Sequence, residues 1–212
     1  YIVPKNDEFF GEYVDQRNDR LKFISSFSGS AGQALVLKKV AYLFVDGRYT
    51  LQAKREVDKN FKIIEIHKTK PSTILKKINK KLKIGFDPKL HSEAGLLSSY
   101  KLKNISLISV KKNLIDKIWF SRPKTKFNKF FILNSNSVGQ NYKNKINTVS
   151  KILKKKKINK LLITAPENLA WLLNIRGNDS KYSPLPNCNA IINDEKKITL
   201  IVNKKKINKK FK

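Results

Sequence analysis

Short runs of alternating or continuous apolar residues take turns along this chain with stretches where apolar positions recur every three to four residues. Period two marks strands and period 3.6 marks helices, so the alternation predicts an α/β architecture. Residues 1–4 read as a strand remnant. Residues 19–27 read as a helix running into the small-residue turn Ser28-Gly29-Ser30-Ala31-Gly32. Strands over 33–37 and 42–46, joined at Lys38-Lys39, make an antiparallel hairpin. A helix over 48–57 and a strand over 61–66 follow. Pro71 opens a helix to about Leu82, and 83–86 is a strand closed by Asp87-Pro88. Ser92 caps a helix to Leu102, with Glu93 favourably placed in its first turn. A strand over 106–110 and a short helix over 114–120 lead to Arg122-Pro123.

Residues 123–129 are polar and basic with no apolar period, which marks a linker. Beyond it the pattern predicts a strand at 130–133, a long helix at 142–156, a strand at 161–164, a helix at 166–174, and a hairpin of 189–193 with 198–202. The expected division is 1–123, a linker at 124–129, and 130–212. The two halves rhyme. Residues 23–27, Gly29, and strands 33–37 and 42–45 recur in order as 170–175, Gly177, 189–192 and 198–202. The reading is two consecutive α/β domains, each a mixed sheet flanked by helices, the second incomplete. Only 204–212 follow its hairpin, so a sheet edge and an apolar face are expected to lie uncovered. Further chain is therefore expected downstream. Upstream sequence is expected too, because YIVP reads as the interior of a strand and the chain contains no methionine.

A composition of 40% hydrophobic and 10% aromatic residues is ample for a core and excludes global disorder. No run approaches the roughly 18 apolar residues of a membrane helix, so no membrane association is expected. A single cysteine, Cys188, excludes an internal disulfide and fits a reducing compartment, the cytoplasm. The 46 Lys and Arg against 16 Asp and Glu give a net charge of +30, as in a nucleic-acid binder. Yet the excess is nearly all lysine, scattered with asparagine and isoleucine through every segment, as AT-rich coding would produce. A dedicated phosphate reader gathers arginine and aromatics on one face. Nucleic-acid binding is expected to be non-specific and salt-sensitive, with runs 154–157 and 204–206 as solvated helix ends or turns.

Four motifs carry local chemistry. FSGSAG at 27–32 lacks the lysine and spacing of a phosphate loop, and a strand follows where a helix should. It reads as a tight turn in which Gly29 and Gly32 allow two backbones to approach closely. In DGRY at 46–49, Asp46 caps the next helix, Gly47 turns the chain, and Arg48 stands at the mouth beside Tyr49. NLIDKIW at 113–119, followed by Arg122-Pro123, is an amphipathic turn anchored by Trp119. In APENLAWLLNIRGND at 165–179, Pro166 suits the first helical position. Leu169, Trp171, Leu172 and Leu173 are expected to bury, and Gly177 to permit the turn that ends the helix. Arg176 and Asp179 are left at a loop mouth, either paired with each other or pointing into a cleft.

In this order and spacing the four motifs resemble the front half of the Xaa-Pro aminopeptidases, the aminopeptidase P branch of the pita-bread metallopeptidases. Ile84-Gly85-Phe86-Asp87-Pro88 resembles that family's GxDP. Departures are Asn178, where the family has Ser, and Ser183-Pro184-Leu185-Pro186, where it has Asn-Pro followed by Val-Phe. The resemblance implies two creatinase/prolidase N-terminal-type domains that shape a substrate cleft and contribute to homodimer contacts. It makes Arg48, Tyr49, Arg176 and Asp179 substrate-cleft candidates, with Arg48 facing substrate or a neighbouring subunit. Gly29, Gly32, Asp46, Gly47, Trp119, Trp171 and Gly177 become structural markers. The implied parent removes the residue preceding proline from a peptide N-terminus. It uses two Mn²⁺ or similar ions held by two aspartates, a histidine and two glutamates in a third domain.

This chain carries no such ligand set. His67 and His91 lie outside any carboxylate-rich context and read as surface or capping residues, and Cys188 has no base near it in sequence. No catalytic residue and no metal ligand is assigned. Two other readings stay open: a non-catalytic creatinase-like peptide- or protein-binding module, and a basic nucleic-acid-associated protein.

Overall fold

In the computed structural model, which describes residues 1–78 and 80–208, the chain divides into two units. The first comprises Tyr1–Glu8 and Gln16–Lys124, the second Phe9–Asp15 and Thr125–Lys212. Of the lysine-rich tail expected over 204–212, residues 209–212 lie outside the described residues.

In the first unit the elements are β1 (Ile2–Pro4), α1 (Arg20–Ser25), β2 (Gly32–Val36), β3 (Ala41–Val45), α2 (Thr50–Glu56), β4 (Phe61–Glu65), α3 (Pro71–Lys76), β5 (Leu82–Phe86), α4 (Glu93–Tyr100), β6 (Ile105–Ser109) and α5 (Leu114–Ile118). Strands β1 to β4 form one mixed sheet in sequence order, with β4 parallel to β3 and the other pairs antiparallel. Successive side chains of a strand point to opposite faces. Val3, Ala34, Leu43 and Val45 accordingly enter a core closed by Leu21, Phe27 and Ala53. Ile2, Leu35 and Phe44 enter a second core, closed by Leu75, Ile84, Leu96 and Tyr100. Burial on both faces explains why β3 reads as the unbroken apolar run AYLFV.

The helix expected from Pro71 to about Leu82 is shorter: α3 ends at Lys76. Leu82 already belongs to β5, paired with Ile105 of β6. The Asn104 side chain donates to the carbonyls of Ile78 (3.0 Å) and Lys80 (3.3 Å), backbone acceptors that a longer helix would have used itself.

In the second unit follow β7 (Phe131–Ile132), α6 (Tyr142–Lys155), β8 (Lys160–Ile163), α7 (Pro166–Leu173), β9 (Ile175–Arg176), β10 (Asn189–Asn193) and β11 (Ile198–Ile201). Strand β10 lies between β11 and β8, antiparallel to both, and the short β9 pairs with β7. The order β8–α7–β10–β11 repeats β1–α1–β2–β3, helix and hairpin included, so the internal rhyme is structural. One difference separates the copies. Strand β3 is bonded on both edges, whereas β11 is bonded only to β10 among the described residues. Leu162 and Ile201, on the sheet face away from Ala190 and Ile192, are 58% and 49% exposed. An open edge and an uncovered apolar face are what the sequence led us to expect.

Helix α6 ends in a Schellman turn: Ile158 N donates to Leu153 O (2.9 Å) and Lys157 N to Lys154 O (3.0 Å). Lys157 occupies its left-handed position, with φ 55°. Glycine holds that conformation without the Cβ clash, at some cost in unfolded-chain entropy. Lys157→Gly is therefore expected to raise stability by about 0.5–1 kcal/mol, read as a higher urea midpoint at unchanged m-value.

Candidate functional site

The first two motifs meet in space. At the end of β3, Asp46 accepts from Arg48 N at 3.0 Å, capping the one-turn 3-10 helix Gly47–Tyr49. The same carboxylate takes Arg48 Nε at 2.8 Å and faces His67 Nε2 at 3.2 Å. Hydrogen bonds from the Arg48 side chain, then its backbone, then His67 hold Asp46 well below the usual carboxylate range. The Arg48 side chain is 75% exposed and its guanidinium lies 5.6 Å from the Tyr49 ring centroid. Tyr49 Oη is 2.7 Å from Ser30 Oγ, and its ring meets the edge of Phe27. A Cβ on Gly29 would overlap the Phe27 ring, and one on Gly32 would lie 3.1 Å from Phe44 O. FSGSAG is thus a close-approach turn whose outer surface carries DGRY. Because β3 and β4 are parallel, Asp46 and His67 share the carboxyl ends of adjacent strands, where open α/β sheets present ligand sites.

The 165–179 segment departs from expectation at two points, and of the two readings left open for Arg176 and Asp179 it removes the mutual pair. Asn174, at φ 55° and ψ 33°, ends α7, not Gly177. Gly177 instead permits contact with the 183–186 segment: an added Cβ would lie 2.9 Å from Pro186 Cα, and its N–H donates to Pro184 O. Trp171 is 58% exposed, because it lies off the α7 face that buries Leu169 and Leu172. Arg176 and Asp179 do not pair with each other. Arg176 Nη1 donates to Ala170 O and Ile175 O, both at 2.9 Å. Asp179 binds Lys206 Nζ at 2.9 Å and accepts from Asn187 N at 2.7 Å.

The reason lies in the helix end. The last carbonyls of a helix have no intrahelical partner. At α7 they are met by Arg176 and by Lys145, whose Nζ donates to Trp171 O and Asn174 Oδ1, both at 2.7 Å, and sits 4.3 Å from the Trp171 ring centroid. Lys145 is only 5% exposed, and burial lowers its pKa, with a smaller push from Arg176. Sequence reading missed it. The available signal was a lysine beside Ile146, on the face of α6 that also carries Val149 and Leu153.

The NLIDKIW motif is a structural anchor. Trp119 stacks on Phe23 at 4.6 Å, and Asn113 Oδ1 caps α5 through Ile115 N. Asp116 takes Arg20 through two bonds (2.8 and 2.9 Å) and Arg122 at 2.9 Å. Burial alone would raise the pKa of Asp116; Arg20 and Arg122 outweigh it and lower it.

The profile of the creatinase/prolidase N-terminal domain matches residues 13–118, and a second profile of the same description matches residues 121–212. The chain belongs to the creatinase/prolidase N-terminal domain family, in two consecutive copies. Among its relatives, a probable Xaa-Pro aminopeptidase P of Coprinopsis cinerea is 34% identical over 98% of this chain and 34% of that protein. Xaa-Pro aminopeptidase 2 of Homo sapiens is 34% identical over 96% of this chain and 31% of that protein. The structure is similar to an X-prolyl aminopeptidase from Caenorhabditis elegans, described as a cytosolic enzyme with a di-nuclear active site. The TM-score is 0.89 at 28% identity, covering 99% of this chain and 35% of that one. The chain thus spans about a third of the length of these relatives.

Within these creatinase-type units the remaining candidates are plain. His67 is exposed against Asp46. His91 is half-buried, its ring edge-on to Phe86; burial lowers its pKa and Asp87 opposes the shift. Cys188 is buried, and burial pushes its thiol up to about 11, so it is a thiol, not a thiolate, at neutral pH. Among the described residues no three His, Cys, Asp or Glu side chains group closely enough to hold a metal ion. The described residues do not fit a di-nuclear centre. No helix among the described residues is long and apolar enough to cross a membrane.

Two substitutions test these assignments. Lys145→Met removes the charged donor to Trp171 O and Asn174 Oδ1 at the end of α7 and is expected to cost about 2 kcal/mol, measured by urea denaturation. The folded-state pKa of Asp116 is depressed, so its contribution is present above the unfolded value of about 4 and is lost as pH falls through the folded value. Asp116→Asn is expected to lower stability at pH 7 by on the order of 2 kcal/mol and to flatten the acid limb of the stability–pH curve.

Proposed function

We propose that this chain is the N-terminal, non-catalytic part of a metal-dependent Xaa-Pro aminopeptidase of the cytoplasm. The parent enzyme removes the residue preceding proline from peptide N-termini, with two divalent ions, Mn²⁺ or similar, held outside these residues. The observation that carries the reading is collinearity: relatives named Xaa-Pro aminopeptidase align over 98% and 96% of this chain. The two units shape the substrate cleft and contribute to homodimer contacts in this reading. The DGRY corner is the better of the two proposed cleft elements. Arg48 is exposed and tethered through Nε, so its guanidinium is positioned as a fork for a carboxylate, with Tyr49 beside it. Arg176 and Asp179 enter the proposal differently. Arg176 closes the end of α7 and Asp179 holds Asn187 and Lys206, so they act on the cleft by setting the 174–187 loop.

The test is divalent-metal-dependent release of the first residue from an Xaa-Pro-Pro peptide. The complete reading frame containing these residues is compared with the 212-residue chain. Activity in the complete frame and none in the 212-residue chain is expected. An inert complete frame with metal present, or cleavage by the 212-residue chain alone, overturns the proposal.

A further inference from the structure

The net charge of +30 is spread along the sequence, but the fold does not spread it evenly. At one end of the second unit three segments converge. Helix α6 finishes there with Lys154 and Lys155, followed by Lys156 and Lys157 in its closing turn, and β8 starts at Lys160. The β10–β11 turn arrives beside them carrying Lys196 and Lys197. Asn193 is paired with Lys160, Asp194 N donates to Asn159 O at 3.2 Å, and Ser150 Oγ donates to Asn193 O. All seven lysines are exposed, and none takes part in an ion pair found among the described residues. The acidic groups in the same turn are Asp194 and Glu195, which leave a local excess of positive charge.

The partial negative charge at the end of α6 accounts for lysines at 154–156. It does not account for Lys160, Lys196 and Lys197, which come from other elements. Neither arginine nor an aromatic residue occurs in 150–162 or 193–199. The end therefore has no planar fork to read a base edge and no ring on which a base could stack. What it offers is a cluster of flexible point charges, whose match is a closely spaced row of phosphates.

We propose that this lysine-rich end of the second unit is an electrostatic docking surface for the phosphodiester backbone of nucleic acid, indifferent to base sequence. The surface is a local site rather than a consequence of total charge, and the experiment separates the two. Binding of a fluorescein-labelled 20-nucleotide oligouridylate to the 212-residue chain is measured by anisotropy from 0.05 to 0.3 M NaCl. The oligothymidylate of equal length is a second probe. One variant carries Lys154→Gln, Lys155→Gln, Lys160→Gln and Lys197→Gln. A control of identical net charge carries Lys59→Gln, Lys62→Gln, Lys103→Gln and Lys111→Gln, all exposed positions of the first unit. Thermal melts confirm that both variants fold. The patch variant is expected to bind at least tenfold more weakly at 0.1 M NaCl, with the log–log salt slope flattened by about 3, while the control stays within twofold of the parent. Both probes are expected to bind alike, because lysines on phosphate do not sense the 2′-hydroxyl. Equal losses in the two variants overturn the proposal in favour of bulk charge. So does a parent chain that does not bind at 0.1 M, or a patch whose loss weakens binding to phosphatidylserine vesicles and not to the oligonucleotides.

Discussion

Each unit is organised around a hairpin whose alternate side chains must leave water. In the first unit both faces of β2 and β3 are apolar, so the strands cannot stand unless something covers each side. Helices α1 and α2 close one core, and α3, α4 and β5 close the other. The glycines of the first turn serve the same demand. Gly32 lets β2 start within van der Waals reach of both the Phe27 ring and the β3 backbone. In the second unit the hairpin β10–β11 has its inner face covered by α6 and α7, while Leu162 and Ile201 stay in water. The same constraint is met fully in one copy and half met in the other.

A second demand, that buried backbone groups find partners, decides what the charged residues do. Lys145 and Arg176 close α7, Asp46 caps the Gly47–Tyr49 turn, and Asp87 accepts from Lys89 N and from Asn113 Nδ2. Arg176 looks like candidate chemistry in a linear reading because charge near a helix end is common to sites and to caps. Arg48 differs from the rest in kind. Its partner is two residues away, its side chain is in solvent, and it meets no backbone carbonyl among the described residues. That is why it stands as the cleft candidate with the most exposed chemistry.

Much of the layout was legible before the structure. Strand β4 was expected at 61–66 and lies at Phe61–Glu65. Helix α6 was expected at 142–156 and lies at Tyr142–Lys155. The repeated order of helix and hairpin was legible because glycine turns and period-two runs survive divergence better than residue identities do. Illegible were the short β9, two residues with no period to show, and the early end of α3, after which Asn104 in the turn before β6 meets the Ile78 carbonyl. The grouping of Phe9–Asp15 with the second unit is a long-range choice that leaves no local mark. The exposure of Trp171 also escaped notice: large aromatics usually bury, but this one lies off the α7 face that buries Leu169 and Leu172.

By itself the sequence determined the class of fold, the repeat, the motif order that marks the creatinase/prolidase family, and the residues that start most helices. These follow from local rules of periodicity, capping and turn geometry, which act over a few residues. Only the tertiary structure decided that Arg176 and Asp179 have separate partners, that a buried lysine from α6 closes the signature helix, and that lysines from three segments share one end of the second unit. Those outcomes depend on distances between residues 6 to 43 positions apart in the chain. Charge type and spacing constrain such distances weakly, and packed elements set them.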